Sequence, residues 1–288
     1  MVLFCAAGFA AATAGPAVET VTPEPRAFAR FVPERSDDFA WENDLVAFRA
    51  YGPALRGSRE NAGIDCWLKR VPYPIVDKWY DLSLNHGTSY HEDHGEGLDN
   101  YVVGASLGCG GTALWIDEQI YPLETFIDWR IEEQTTERVR FVLTYENEVL
   151  GDVYREEKRI GLSLGERLFS AESRFWKNGE PAVGLPIAVG LTTHGGKAQP
   201  AMNPAAGWIA LWEELDGSGL GAAVRVPPAA LERVVLINAE ENDKDAGHLL
   251  AITRTDAAGE VVYEAGYGWE KADVITDAGR WREYLDEE

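Results

Sequence analysis

Two of the chain's five histidines lie in one short stretch, Ser89-Tyr-His-Glu-Asp-His-Gly-Glu-Gly-Leu-Asp-Asn-Tyr101, which continues to Gly111. Over these 23 residues it gathers His91 and His94, four acids, two tyrosines and six glycines. Glycine lets the backbone take positive φ and approach a ligand closely. Histidine takes and gives protons near neutral pH. His91, Asp93, His94 and Glu96 admit three readings: ligands for a divalent cation, a proton-transfer pair held by carboxylates, or a polar structural loop. No standard zinc spacing follows, so the set is read as proton-transfer machinery, with no metal and no cofactor assigned. Tyr90 adjoins the pair as a further proton donor. His194 follows an apolar run in Thr192-Thr-His-Gly-Gly-Lys197, where the glycines suit a pocket rim. His86 and His248 have weaker contexts and read as structural.

A second constellation is cationic and aromatic. Along Trp41–Gly52, Ala47, Arg49 and Tyr51 alternate with Val46, Phe48 and Ala50. Along Gly63–Val71, Asp65, Trp67 and Lys69 share one face. If both runs are strands of one concave sheet, Arg49, Tyr51, Trp67 and Lys69 line one cleft. Arg49 then binds a carboxylate bidentately, Lys69 adds a point charge, and Trp67 stacks on a sugar ring. The plainer alternative is a solvated outer face. Glu96 and Asp99 of the glycine-rich loop complete the candidate binding set.

Charge narrows the partners. The formal net charge is −22, which argues against nucleic acid and against an anionic membrane surface. The charge is unevenly spread. Arg26–Tyr80 carries nine Lys/Arg against eight Asp/Glu, and the remainder to the C-terminus carries 17 against 38. Cationic contacts to an anionic substrate therefore fall in the first segment. Ten tryptophans suit both core packing and sugar stacking. There is no Walker loop and no Cys-x-x-Cys, so nucleotide chemistry and structural zinc lack their signatures.

The elements that must position these residues read as β. Leu45–Tyr51 and Ile64–Val71 are β-rich runs. Trp115–Tyr121 reads as a hairpin turning at Asp117-Glu118, and Phe126–Glu133 with Glu137–Tyr145 as another. Further strands fall near 152–164, 167–177, 183–193, 207–214, 219–226, 248–255 and 260–268, with turns such as Asn178-Gly179 and Asp216-Gly217 between them. One helix is expected, at the C-terminus, with Thr276 as its cap and Trp281, Tyr284 and Leu285 at helical spacing. This pattern predicts a large antiparallel β-sandwich forming a single domain over 34–288. Residues 15–33, with four prolines, read as a linker. Residues 1–14 form an apolar run ending in Ala12-Thr13-Ala14, which fits a signal peptide lacking a cationic start. Export to the periplasm or medium is expected, leaving Cys66 and Cys109 either paired or as buried thiols. No other run approaches a membrane span.

Phe31-Val-Pro-Glu-Arg-Ser-Asp-Asp-Phe-Ala-Trp-Glu-Asn-Asp44, Tyr51-Gly-Pro53, Gly63-Ile-Asp65 with Trp67 and Lys69, His94-Gly-Glu-Gly-Leu-Asp99 and Gly108-Cys-Gly-Gly111 together resemble a bacterial family long described as a domain of unknown function. It is encoded among polysaccharide-utilisation genes and includes an ulvan oligosaccharide dehydratase. The resemblance runs from about Phe31 to the C-terminal helix. It implies a galactose-mutarotase-like β-sandwich, exported to the periplasm. It also implies removal of water from the uronic acid at the non-reducing end of an oligosaccharide, leaving a 4,5-unsaturated sugar. On chemical grounds Arg49 and Lys69 are then the expected carboxylate clamp. His91 or His94 is the base, and Tyr90, His194 or the other loop histidine is the acid. A uronan lyase, an epimerase or mutarotase, and a non-catalytic sugar-binding module stay open.

Overall fold

Strict alternation builds the first sheet. Phe39 and Trp41 in β2 (Asp38–Glu42), Phe48 in β3 (Ala47–Ala50), and Cys66 and Leu68 in β4 (Ile64–Lys69) all turn to one side and are fully buried. β1 (Phe28–Val32) and the two-residue β5 (Gly97–Leu98) complete an antiparallel sheet in the order β1-β2-β3-β4-β5. Its apolar side meets a nine-stranded sheet. Trp41 lies 5.2 Å from Phe141 and 5.7 Å from Phe169, ring to ring, and Phe48 lies 5.4 Å from Tyr267. Such contacts contribute beyond the area they bury.

This computed structural model describes residues 23–239 and 247–287. The signal-like segment 1–14, with Cys5, lies outside them. The large sheet runs, in spatial order, through 199–203, 208–215, 218–225, 260–269, 168–177, 152–163, 138–149 and 128–134, with 180–181 pairing beside 168–177. A third sheet of five strands runs through 233–237, 248–254, 186–192, 109–116 and 119–122. All the strand pairs are antiparallel, so the expected all-β antiparallel sandwich is the architecture. The hairpins fall where turn chemistry placed them. Asp117 and Glu118 both take positive φ (50° and 63°), as a two-residue hairpin turn requires.

Three expectations are corrected. Residues 28–32 are not linker: they pair along β2, so the folded unit begins before residue 34. Thr276 is not the helix cap. The Asp277 carboxylate accepts the Gly279 and Arg280 N–H groups at 2.7 and 3.0 Å at the start of the C-terminal helix (Ala278–Glu287), which buries Trp281 and Leu285. A second helix, α1 (Val76–His86), lies on the polar side of the first sheet. Cys66 and Cys109 are free thiols buried side by side, and burial, followed by the hydrogen bond to Cys109, pushes the Cys66 thiol well up. Among the described residues, no helix is long and apolar enough to cross a membrane.

Candidate active site

Helix α1 has no local cap, because Ile75 occupies the N-cap position with no side-chain bond. The cap comes from β2. The Glu42 carboxylate accepts the N–H groups of Ile75 and Val76 at 2.9 to 3.0 Å. A carboxylate at this end of a helix is favoured by the dipole as well as by the bonds. Lys69 neutralises it. Its Nζ donates to Glu42 Oε2, Asn43 O and Tyr73 O, each at 2.8 Å, which uses all three ammonium hydrogens. Lys69 is fully buried and does not reach a substrate. This corrects its expected place in a carboxylate clamp.

The helix then covers the face that alternation had singled out. Trp67 is stacked between Trp79 (5.6 Å) and Tyr90 (4.9 Å), with Tyr80 tilted against it at 4.8 Å. It is buried and leaves no face for a sugar ring, a second correction. Arg49 lies beneath the same lid. Its Nη2 bonds Asp65 at 2.6 Å and comes within 3.7 Å of Asp99, while Nη1 is 3.8 Å from Asp38. The guanidinium also lies over the rings of Tyr51 and Trp67. Arg49 thus faces three buried carboxylates, with Arg35 also acting at longer range on Asp38 and Asp99. Burial pushes Asp38 up to about 6 even with Arg49 beside it, and pushes Asp65 and Asp99 up as well, Asp65 further raising Asp99. Arg49 and the buried Tyr51 therefore support the site from below rather than lining an open cleft.

Helix α1 ends at Gly87, in the left-handed region (φ 70°), and the chain turns into the glycine-rich loop. The loop is held at several points. Glu96 accepts bonds from Tyr73, from Lys78 at 2.5 Å and from the Trp79 indole at 3.1 Å. Against the burial that would raise it, these bonds keep the Glu96 carboxyl below its usual range. Asp93 pairs with Arg70 at 2.8 Å. His94 Nε2 faces the Ser89 carbonyl at 3.0 Å. Gly97 has φ 132°, and a Cβ there would fall 1.9 Å from the Leu68 carbonyl oxygen, so only glycine closes the loop onto β4.

His91 is positioned differently. Its Nδ1 lies 2.7 Å from the Asp99 carbonyl oxygen, an acceptor, so the ring hydrogen belongs on Nδ1. The Asp99 carboxylate stands 3.6 Å behind the same nitrogen. Nε2 has no partner among the described residues, and the side chain is 61% exposed. A lone-pair nitrogen therefore faces outward with its back anchored. Tyr90 touches the His91 ring at 4.5 Å between centroids. The Tyr90 hydroxyl accepts a bond from Arg35 Nε at 3.3 Å, and Arg35 Nη1 bonds Ser36 Oγ at 2.9 Å. Half-buried Arg35 forms no ion pair among the described residues. On the Tyr90 side of this group, a hollow of about 100 Å³ is walled by Trp79, Tyr90, His94 and Glu96 and is not lined by His91 or Arg35.

His91, His94, Tyr90, Glu96 and Asp99 lie close together in the fold, but Glu96 is engaged by Tyr73, Lys78 and Trp79 and Asp99 is buried beside Arg49, which corrects their expected place as substrate-binding residues. His194 does not join them. Its Nδ1 lies 2.5 Å from Glu213 and its Nε2 2.9 Å from the Val102 carbonyl, so both nitrogens are occupied, at a later point of the stretch than His91 and His94. Sequence reasoning missed Arg35 and Glu213. Arg35 lies within the positively balanced segment, the one signal that pointed to it. His91, Asp93, His94 and Glu96 are drawn to separate partners, so they do not converge on a common point as metal ligands.

With its β-sandwich scaffold and histidine-bearing loop, the chain belongs to the family described as Domain of unknown function (DUF4861), which matches residues 7–288. It is similar to "Uncharacterized protein P7" of Formosa agariphila, 36% identical over 274 residues. That alignment covers 90% of this chain and 66% of the relative, so the chain spans slightly under two thirds of its length. Among solved structures, a variant GH36 α-galactosidase of Geobacillus stearothermophilus, in complex with raffinose, overlaps 80% of this chain and 37% of its own, at 10% identity and a TM-score of 0.31. A likeness that slight carries no inference about chemistry.

Proposed function

We propose that the protein is an oligosaccharide dehydratase, a carbon–oxygen lyase. It removes water from the uronic acid at the non-reducing end of ulvan-type oligosaccharides, working after export to the periplasm or medium. The observation that carries this reading is His91: Nδ1 fixed on the Asp99 carbonyl, Nε2 outward, beside a tyrosine hydroxyl held by Arg35, which forms no ion pair among the described residues. These are the parts that elimination α to a carboxylate needs. The uronate carboxylate must be neutralised so that charge can develop on it. Arg35 supplies that cation in place of the buried Arg49 and Lys69. His91 Nε2 takes the C5 proton. The C4–O bond breaks as the C4=C5 bond forms, and the departing hydroxyl leaves as water with the Tyr90 proton. The Arg35 guanidinium then stabilises the phenolate. The family resemblance to an ulvan oligosaccharide dehydratase supports the same reaction class.

Incubation with oligosaccharides ending in a uronic acid tests the reading. The expected result is a new ultraviolet absorbance from the conjugated double bond, with products lighter by one water. Chain shortening would make the protein a uronan lyase instead. Unchanged mass with an altered sugar would make it an epimerase, and binding without change a recognition module. Activity is expected to survive dialysis against a chelator, because Arg35 can neutralise the carboxylate. Loss on chelation with rescue by a divalent cation would return the loop acids and histidines to the role of ligands.

A further inference from the structure

The chain that anchors His91 continues into a second cavity. Asp99 O holds His91, and three residues later Val102 O holds His194. Two positions three residues apart are separated by at most about 11 Å of chain. At the second position a cavity of about 190 Å³ opens, walled by Asn100, Val102, His194, Lys197, Glu213 and Leu215. Glu213 is 7% exposed, and His194 takes only its Oε1. Among the described residues, its Oε2 is buried with no hydrogen-bond partner, and so is Asn100 Oδ1. Leaving a buried acceptor unmet costs free energy, more so for a charged group. Exposed Lys197 forms no ion pair among the described residues. Val102, 52% exposed, and half-buried Leu215 give the cavity an apolar side.

Acceptors and an ammonium that have no partner among the described residues, together with an apolar wall, complement a pyranose. Its hydroxyls donate to Glu213 and Asn100 and accept from Lys197, and its C–H edge rests on Val102 and Leu215. The Glu213 carboxylate, whose Oε2 meets no donor among the described residues, disfavours a second uronate here. We propose that this cavity is a subsite for a neutral sugar, the one joined to the uronate that undergoes elimination. The assignment rests on the dehydratase reading and adds to it a preference for a substrate of at least two residues.

The test is calorimetric titration of the full chain carrying His91→Ala, which leaves the substrate intact. The ligands are a free uronate and a disaccharide of that uronate with a neutral sugar. The expected result is that the disaccharide binds tighter by about tenfold or more, the weight of one to two charge-assisted hydrogen bonds. Adding Lys197→Ala or Glu213→Gln should remove most of that gain. Lys177→Ala, at the remote Asp152 ion pair, should keep it, and the free uronate serves as internal reference for all. Equal affinity for the two ligands, or a gain that survives both cavity substitutions, would overturn the subsite while leaving the dehydratase reading intact. Binding of neither ligand, together with no unsaturated product from the unsubstituted protein, would overturn both.

Discussion

Replacing His91 by alanine should lower turnover on uronate-ended oligosaccharides by about 10²–10⁴-fold, the usual weight of a positioned general base. The melting temperature should hardly move, because the side chain is largely exposed and packs little. His94→Ala should cost far less. Its ring bonds the loop's own Ser89 carbonyl and, among the described residues, has no hydrogen bond or ion pair with Asp99 or Arg35. Tyr90→Phe keeps the stack on Trp67 and removes only the hydroxyl, so its loss should appear in turnover more than in KM. Arg35→Ala should raise KM as well, because it removes the cation that meets the substrate carboxylate. Arg35→Lys should recover only part of the activity, since an ammonium lacks the planar fork. The decisive measurement is the formation of unsaturated product by each variant beside its thermal unfolding. Full activity in folded His91→Ala would take the base away from this loop.

The residues of this site differ in how far a sequence can reveal them, and the difference is physical. Tyr90, His91, His94, Glu96 and Asp99 are close neighbours in the chain, so their grouping is local and legible. The alternation of Asp65, Trp67 and Lys69 correctly placed them on one face. It could not say what covers that face, because α1 has no cap of its own and takes Glu42 from 33 residues upstream. The apolar spacing of Val76, Trp79 and Tyr80 was the only trace of that helix. β1 was hidden by the prolines before it, since its ladder partner decides its structure. Glu213 meets His194 only through the fold, nineteen residues away. Most of the sandwich strands, by contrast, follow from two-residue periodicity and turn residues, which are local rules.

Arg49 carries the other large expected effect, on stability rather than on substrate binding. Arg49→Ala would leave Asp38, Asp65 and Asp99 under α1 without the cation that contacts them. Breaking a buried ion pair from one side costs about 3–5 kcal/mol, so the variant should unfold at markedly lower denaturant. Its deficit should shrink in acid, where the three carboxyls are protonated and no longer repel. The unsubstituted protein should show the same sign in milder form. Asp38 has a folded-state pKa of about 6 against an ordinary 3.8, raised chiefly by burial. The folded protein therefore holds this proton more tightly than the unfolded chain does. Stability from this group is fully present below pH about 4 and is lost as pH rises through about 6, by about 3 kcal/mol in all. Asp38→Asn keeps an oxygen to accept the Gly52 N–H, which Asp38 bonds at 3.1 Å, and removes the titration. It should stabilise the protein at pH 7.5, leave it little changed at pH 4, and flatten the curve between. Denaturant midpoints across that range decide the matter. If Asp38→Asn tracks the unsubstituted protein at every pH, Asp38 holds no excess proton in the folded state. The strain beneath the loop would then reside in Asp65 and Asp99 alone.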